Sequence, residues 1–183
     1  IIIPPKGYLS ACKKICEKHN VLFIADEIQC GLGRTGKRFA CDHEAVKPDG
    51  LILGKALGGG LLPVSAFLAN NNVMQVFHPG DHGSTFGGNP LACAVAQEGL
   101  IIMQEEQLAE NSAELGDYFL TELKKINNPI IKNIRGLGLF IGVEIDPDKA
   151  SAREICLQLM AKGLLSKETH ETVIRFAPPL VIT

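Results

Sequence analysis

The chain has 183 residues, a formal net charge of -2, 46% hydrophobic residues and 21% charged residues, an ordinary globular profile with length enough for a sizeable core. Near-neutrality gives no electrostatic reason to expect nucleic acid or an anionic membrane as partner, and no apolar run approaches the ~20 residues that span a bilayer. The six cysteines show neither CxxC nor compact disulfide spacing, which predicts reduced thiols in an intracellular protein, cytoplasmic or mitochondrial.

Residues 8–19 place Leu9, Cys12, Ile15, Cys16 and His19 on one helical face. The apolar run 21–25 then predicts a strand covered on both sides. Lys47-Pro48-Asp49-Gly50 breaks the chain before a second apolar run at 51–53, and a third, 64–69, follows Gly58-Gly59-Gly60. Residues 90–126 carry helical periodicity with a break near 105–108, predicting two helices. Beyond Asn127-Asn128-Pro129, residues 130–134 and 137–145 read as strands, 150–162 as a helix and 173–176 as a last strand. The order predicts an α/β layer over 1–90, connecting helices over 91–126 and a small α+β domain over 127–183. The chain starts without Met and stops just after a strand-like stretch, so it is expected to be part of a longer protein.

Asp26-Glu27 follows the first apolar run, where strands of an open α/β sheet end at the ligand crevice. A carboxylate buried there needs a cation or a proton; a capping or surface acid is an equal reading. Lys55 stands between Leu51-Ile52-Leu53-Gly54 and Ala56-Leu57-Gly58-Gly59-Gly60, a lone cation in an apolar stretch. Burial there would favour the neutral amine that Schiff-base chemistry requires, although lysines are commonly solvated. Residues 31–37 match both G-x-G-x-x-G and G-x-x-x-x-G-K, but Arg38 replaces the Ser or Thr of a P-loop. Only twelve residues, 37–48, separate this loop from the next strand, little room for a crossover helix. A glycine-rich site loop is the better reading, with a noncatalytic nucleotide-binding module as the alternative from another class. Residues 82–90 put Ser84 and Thr85 beside permissive glycines before a helix, suiting a phosphate or a simple cap. His78, Asp81 and His82 form a polar loop. Arg175 lies in an apolar strand and needs an anion, either a ligand carboxylate or a structural partner.

These segments together resemble the class III, fold-type I aminotransferases, which depend on pyridoxal 5'-phosphate. The resemblance rests on residues 21–36, on Leu53-Gly54-Lys55-Ala56-Leu57-Gly58-Gly59-Gly60 and on His82-Gly83-Ser84-Thr85-Phe86-Gly87-Gly88-Asn89-Pro90. Gly163-Leu164-Leu165 and Ile174-Arg175-Phe176-Ala177-Pro178-Pro179-Leu180 look most like the ornithine type, with the acetylornithine type as close competitor. The resemblance implies a partial large domain, with a mostly parallel sheet and helices, and a truncated small domain. It implies that Lys55 carries the cofactor as a Schiff base and moves protons, that Asp26 pairs with the pyridinium nitrogen, and that Gln29 lies near the phenolic oxygen. Ser84 and Thr85 would reach the cofactor phosphate of a neighbouring subunit, making a homodimer part of the site. Arg175 would bind a substrate carboxylate, and no metal is implied. The reaction would move the δ-amino group of L-ornithine to 2-oxoglutarate. Cys30 stands where the family usually has Thr, and Phe86 where Tyr is common. The family's phosphate cup, ring-stacking aromatic and ornithine-selecting residues fall in a preceding half that these 183 residues do not include.

Overall fold

The computed structural model describes residues 1–183, which group into two compact units. The first comprises residues 4–33 and 37–108, and the second residues 1–3, 34–36 and 109–183. Of the helical stretch 91–126, residues 91–108 fall in the first unit and 109–126 in the second.

The first unit opens with helix α1 (Tyr8–Lys18). Its sheet has the order β1-β2-β3, with β1 (Ile24–Asp26) and β2 (Gly50–Leu53) parallel and β3 (Ala66–Ala69) antiparallel to β2. In register, Asp26 lies beside Ile52, and Leu51 faces Leu68. The expectation of a first strand covered on both sides is corrected here. β1 is an edge strand of three residues, and Val21, Leu22 and Ile24 stay 57%, 54% and 49% exposed because no element of the chain lies over them. The core of the unit is Leu32, Leu53, Leu57 and Ala96, with Phe39, Leu51, Val64 and Met103 against it. After the short helix α2 (Asn71–Met74), α3 (Pro90–Glu105) begins at Asn89, whose side-chain oxygen accepts the Ala92 N–H at 2.9 Å, with Pro90 in the first turn. Both features are strong helix-start signals.

The second unit carries most of α4 (Leu108–Lys124) and a fully antiparallel sheet in the order β4-β5-β7-β6. Its strands are β4 (Ile131–Gly136), β5 (Ile141–Ile145), β6 (Lys167–Thr169) and β7 (Val173–Phe176). Helix α5 (Ala152–Ala161) is capped by Ser151 and completes a core of Val143, Ile145, Ala152, Cys156 and Ile174. Phe119 meets Phe176 edge to face with ring centres 5.6 Å apart. The strand expected over 137–145 starts later, because Leu137 to Phe140 close a turn through the Leu137 N–H and the Phe140 carbonyl.

Candidate active site

The end of β1 holds two carboxylates with opposite environments. Asp26 is exposed, and its Oδ1 accepts the Ile28 N–H at 3.0 Å, a local turn that fixes the side chain. Glu27 is only 2% exposed, and its oxygens accept the N–H groups of Ala40 and Cys41 at 2.8 and 2.9 Å. Those amides start the 3-10 helix Ala40–Glu44, so a buried carboxylate anchors that turn to the strand end. The Cys30 thiol lies 3.4 Å from the Glu27 carboxylate. Burial first, and the Glu27 charge second, push the Cys30 and Cys41 thiols up to about 12, so both stay protonated and inert. Sequence reasoning named Glu27 only beside Asp26 and gave it no role; the signal was a second acid directly after an apolar strand, whose alternation turns one of two neighbours inward. Gln29 is exposed in the turn that follows.

Residues 31–37 run through turns and bends into that five-residue 3-10 helix. No α-helix N-terminus faces the glycines, so the dinucleotide and P-loop readings fail on geometry.

Lys55 follows β2 directly, at the start of the 3-10 helix Lys55–Gly58. Leu53, Gly54, Leu57 and Gly58 are buried, whereas the Lys55 side chain is exposed. The expected burial in apolar surroundings is thus corrected: the strand's apolar neighbours turn into the core and the lysine turns out. Its φ of 47° is in the left-handed region, where a side chain that is not glycine costs about 1–3 kcal/mol. Lys55 lines a cavity of about 470 Å³ with Val64, Ser65, Ser84, Gly87 and Asn89. Ser84 Oγ accepts the Gly87 N–H at 2.9 Å, which orients the hydroxyl. Lys55 and Ser84 are therefore brought together, while Asp26, Gln29 and the exposed Thr85 are not among the cavity's walls. A second hollow of about 440 Å³, lined by Phe39, Asp42, Lys47 and Leu68 among others, holds none of the expected site residues. In the 78–81 loop, Asp81 accepts the His78 N–H at 2.7 Å, a simple turn.

Arg175 belongs to the second unit, half-buried in β7 with Gly142 and Lys167 as cross-strand neighbours. The unit's ion pairs, Arg135–Glu144 and Arg153–Glu168 among them, leave Arg175 out. Two other cations feel its charge: the N-terminal amino group of Ile1, and the Arg34 guanidinium, which burial first and Arg175 second hold below its usual range.

A family model described as aminotransferase class-III matches residues 1–183. The ornithine aminotransferase of Halalkalibacterium halodurans is 62% identical over all 183 residues, which cover 45% of that relative. The solved ornithine aminotransferase of Toxoplasma gondii superposes with a TM-score of 0.97 at 48% identity, over 99% of this chain and 44% of its own. The acetylornithine aminotransferase of Elizabethkingia anophelis does so with a TM-score of 0.95 at 55% identity, over 99% and 46%. The chain spans about half the length of the curated relatives it matches. With its motifs in order, its two sheets superposable on solved members and the match running from end to end, the chain belongs to the class-III aminotransferases.

Proposed function

We propose that this chain supplies the cofactor lysine and a carboxylate-binding arginine to a pyridoxal-phosphate-dependent ornithine aminotransferase. The reaction is transfer of the δ-amino group of L-ornithine to 2-oxoglutarate, giving glutamate-5-semialdehyde and glutamate. The observation that carries the reading is Lys55, held with a left-handed backbone at the end of β2 and opening into the cavity it shares with Ser84. Support for ornithine comes from relatives that bear that name at about 60% identity.

The residues present fit the cofactor. The cavity sets the Lys55 amine beside the Ser65 hydroxyl and glycines at 87 and 88 that leave room for a bulky ligand. When bound, pyridoxal phosphate supplies an electron sink for charge that develops on the substrate carbon. Lys55 would hold the cofactor through its Nζ, and the same amine is placed to serve as general acid and base toward the substrate carbon. Asp26 would pair with the ring nitrogen and keep it charged, and Gln29 would lie near the phenolic oxygen. Arg175 offers a planar pair of donors to a carboxylate of glutamate or 2-oxoglutarate. Thr85, with Ser84 beside it, is assigned to the cofactor phosphate of a second copy, which would make the active form a homodimer; both residues are exposed in this chain. Residues 1–90 are assigned to the cofactor-binding large domain and 127–183 to the small domain.

The likeness to the Elizabethkingia anophelis enzyme favours N-acetylornithine as the second reading of the substrate. Steady-state turnover of the complete protein with each amine and 2-oxoglutarate decides between them. The ornithine reading requires a higher kcat/KM for ornithine; a higher value for N-acetylornithine overturns it.

A further inference from the structure

The glycine-rich segment 31–37 contains one residue for which the proposed chemistry has no use. Arg34 groups, with Thr35 and Gly36, with the unit that carries Arg175. It is locked there from both sides. Its carbonyl accepts the hydroxyl of the fully buried Ser112 at 3.0 Å, and the same hydroxyl oxygen accepts the Leu139 N–H at 3.0 Å. A side chain on Gly138, whose φ is +56°, would meet the Thr35 carbonyl carbon at 2.5 Å, and one on Gly36 would meet Ala113 at 3.0 Å. Glycine at both places lets the segment lie flat on the unit.

The guanidinium is held as firmly. Arg34 Nη1 donates to the Leu139 carbonyl at 3.0 Å and to the Pro178 carbonyl at 2.5 Å. Pro178 is three residues beyond Arg175, just past the end of β7. Both contacts are neutral carbonyls, which bring no opposite charge to Arg34, and Arg175 takes part in none of the chain's ion pairs. Arg34 and Arg175 are both half-buried, and after burial itself the Arg175 charge holds the Arg34 guanidinium below its usual range; such a like-charge pair is eased when an anion joins it.

We infer that Arg34 is a positioning residue of the carboxylate subsite: it fixes the Arg175 strand through the Pro178 carbonyl and adds a second positive charge that a substrate carboxylate offsets. This rests on the reading of Arg175 as a carboxylate binder.

The test uses the complete protein loaded with pyridoxal phosphate. Arg34→Gln should raise KM for the 2-oxo acid about tenfold, the scale of one charge-assisted hydrogen bond, while cofactor affinity and KM for a monoamine donor without a carboxylate stay as they were. Arg34→Lys keeps the charge and one carbonyl contact, so most of the rise should vanish. An unchanged KM for the 2-oxo acid in Arg34→Gln, or an equal loss of cofactor affinity, overturns the inference. If Arg34→Gln does not fold, Arg34→Lys is read alone: a two- to threefold rise in that KM supports the inference, and no rise overturns it. Arg175→Ala separates the two levels. If it leaves KM for the 2-oxo acid unchanged, the carboxylate reading itself fails; if it raises that KM while the Arg34 variants do not, only the role of Arg34 fails.

Discussion

In the unit that carries Asp26 and Lys55, the strands are three or four residues long and Ile24 is about half exposed. In the unit that carries Arg175, β5 and β7 sit inside a four-stranded antiparallel sheet, and Ile141, Ile145 and Ile174 are at most 2% exposed. The two units therefore hold their functional groups by different means. Around Arg175 the backbone is placed by packing on both strand neighbours and by a closed core. Around Lys55 it is placed by local devices: a strained φ, a 3-10 turn, and a buried carboxylate that gathers the amides of the next turn. The proposed lysine chemistry thus sits in the more open of the two units, and the arginine proposed to bind a carboxylate in the one with the more closed core.

Substitutions that remove apolar volume break or sharpen that contrast. Ile174→Ala should destabilise the chain by about 2–5 kcal/mol, since it empties a site in a closed core. Ile24→Ala should cost under about 1 kcal/mol, because half of that side chain already meets solvent. Urea unfolding of the two variants reads both values, and equal midpoints would end the comparison. Intermediate in size is Glu27→Gln, which keeps one acceptor but loses the charge behind two short backbone bonds, at a cost of about 1.5–3 kcal/mol. Hydrogen exchange at the Ala40 and Cys41 amides should speed up in this variant; unchanged protection would mean that Glu27 does not anchor the turn.

The smallest effect concerns acid. Lys13 Nζ lies 2.7 Å from Asp49, and the Phe23 N–H donates to the same carboxylate. Lys13 first and that backbone bond second hold Asp49 below the usual carboxylate range. A depressed folded value means that this contribution is complete above the ordinary Asp range near pH ~4 and is lost as pH falls through the folded value. The pair is partly solvated, so Asp49→Asn should cost about 1 kcal/mol or less at neutral pH and nothing at the acid end. A pH series of urea midpoints checks this, and a penalty that persists in acid would count against the pairing.

Much of the fold was legible where a single periodicity spoke for itself. The break in the helical stretch falls at Glu106-Gln107, and Gln107 adopts the positive φ that separates α3 from α4. The last strand, Val173–Phe176, reads from its apolar residues alone. β6 was not legible, since Lys167-Glu168-Thr169 is a short polar edge strand whose only signal is its pairing with β7. For the site, motif spacing pointed to Lys55, Ser84 and Arg175, but not to how they are exposed. An apolar neighbourhood in sequence suggested a buried lysine, and the strand-to-turn geometry sends its neighbours inward and the amine out. Arg34 escaped notice because its partners, Leu139 and Pro178, are more than 100 residues away in the chain.

The central claim is that Lys55 is the cofactor lysine. Borohydride reduction of the complete protein in the presence of pyridoxal phosphate, followed by digestion and peptide mass spectrometry, addresses it directly. The account predicts a reduced pyridoxyl-phosphate adduct on the peptide that contains Lys55, absent from Lys55→Gln. An unmodified Lys55, with the adduct on another lysine or on none, would contradict it.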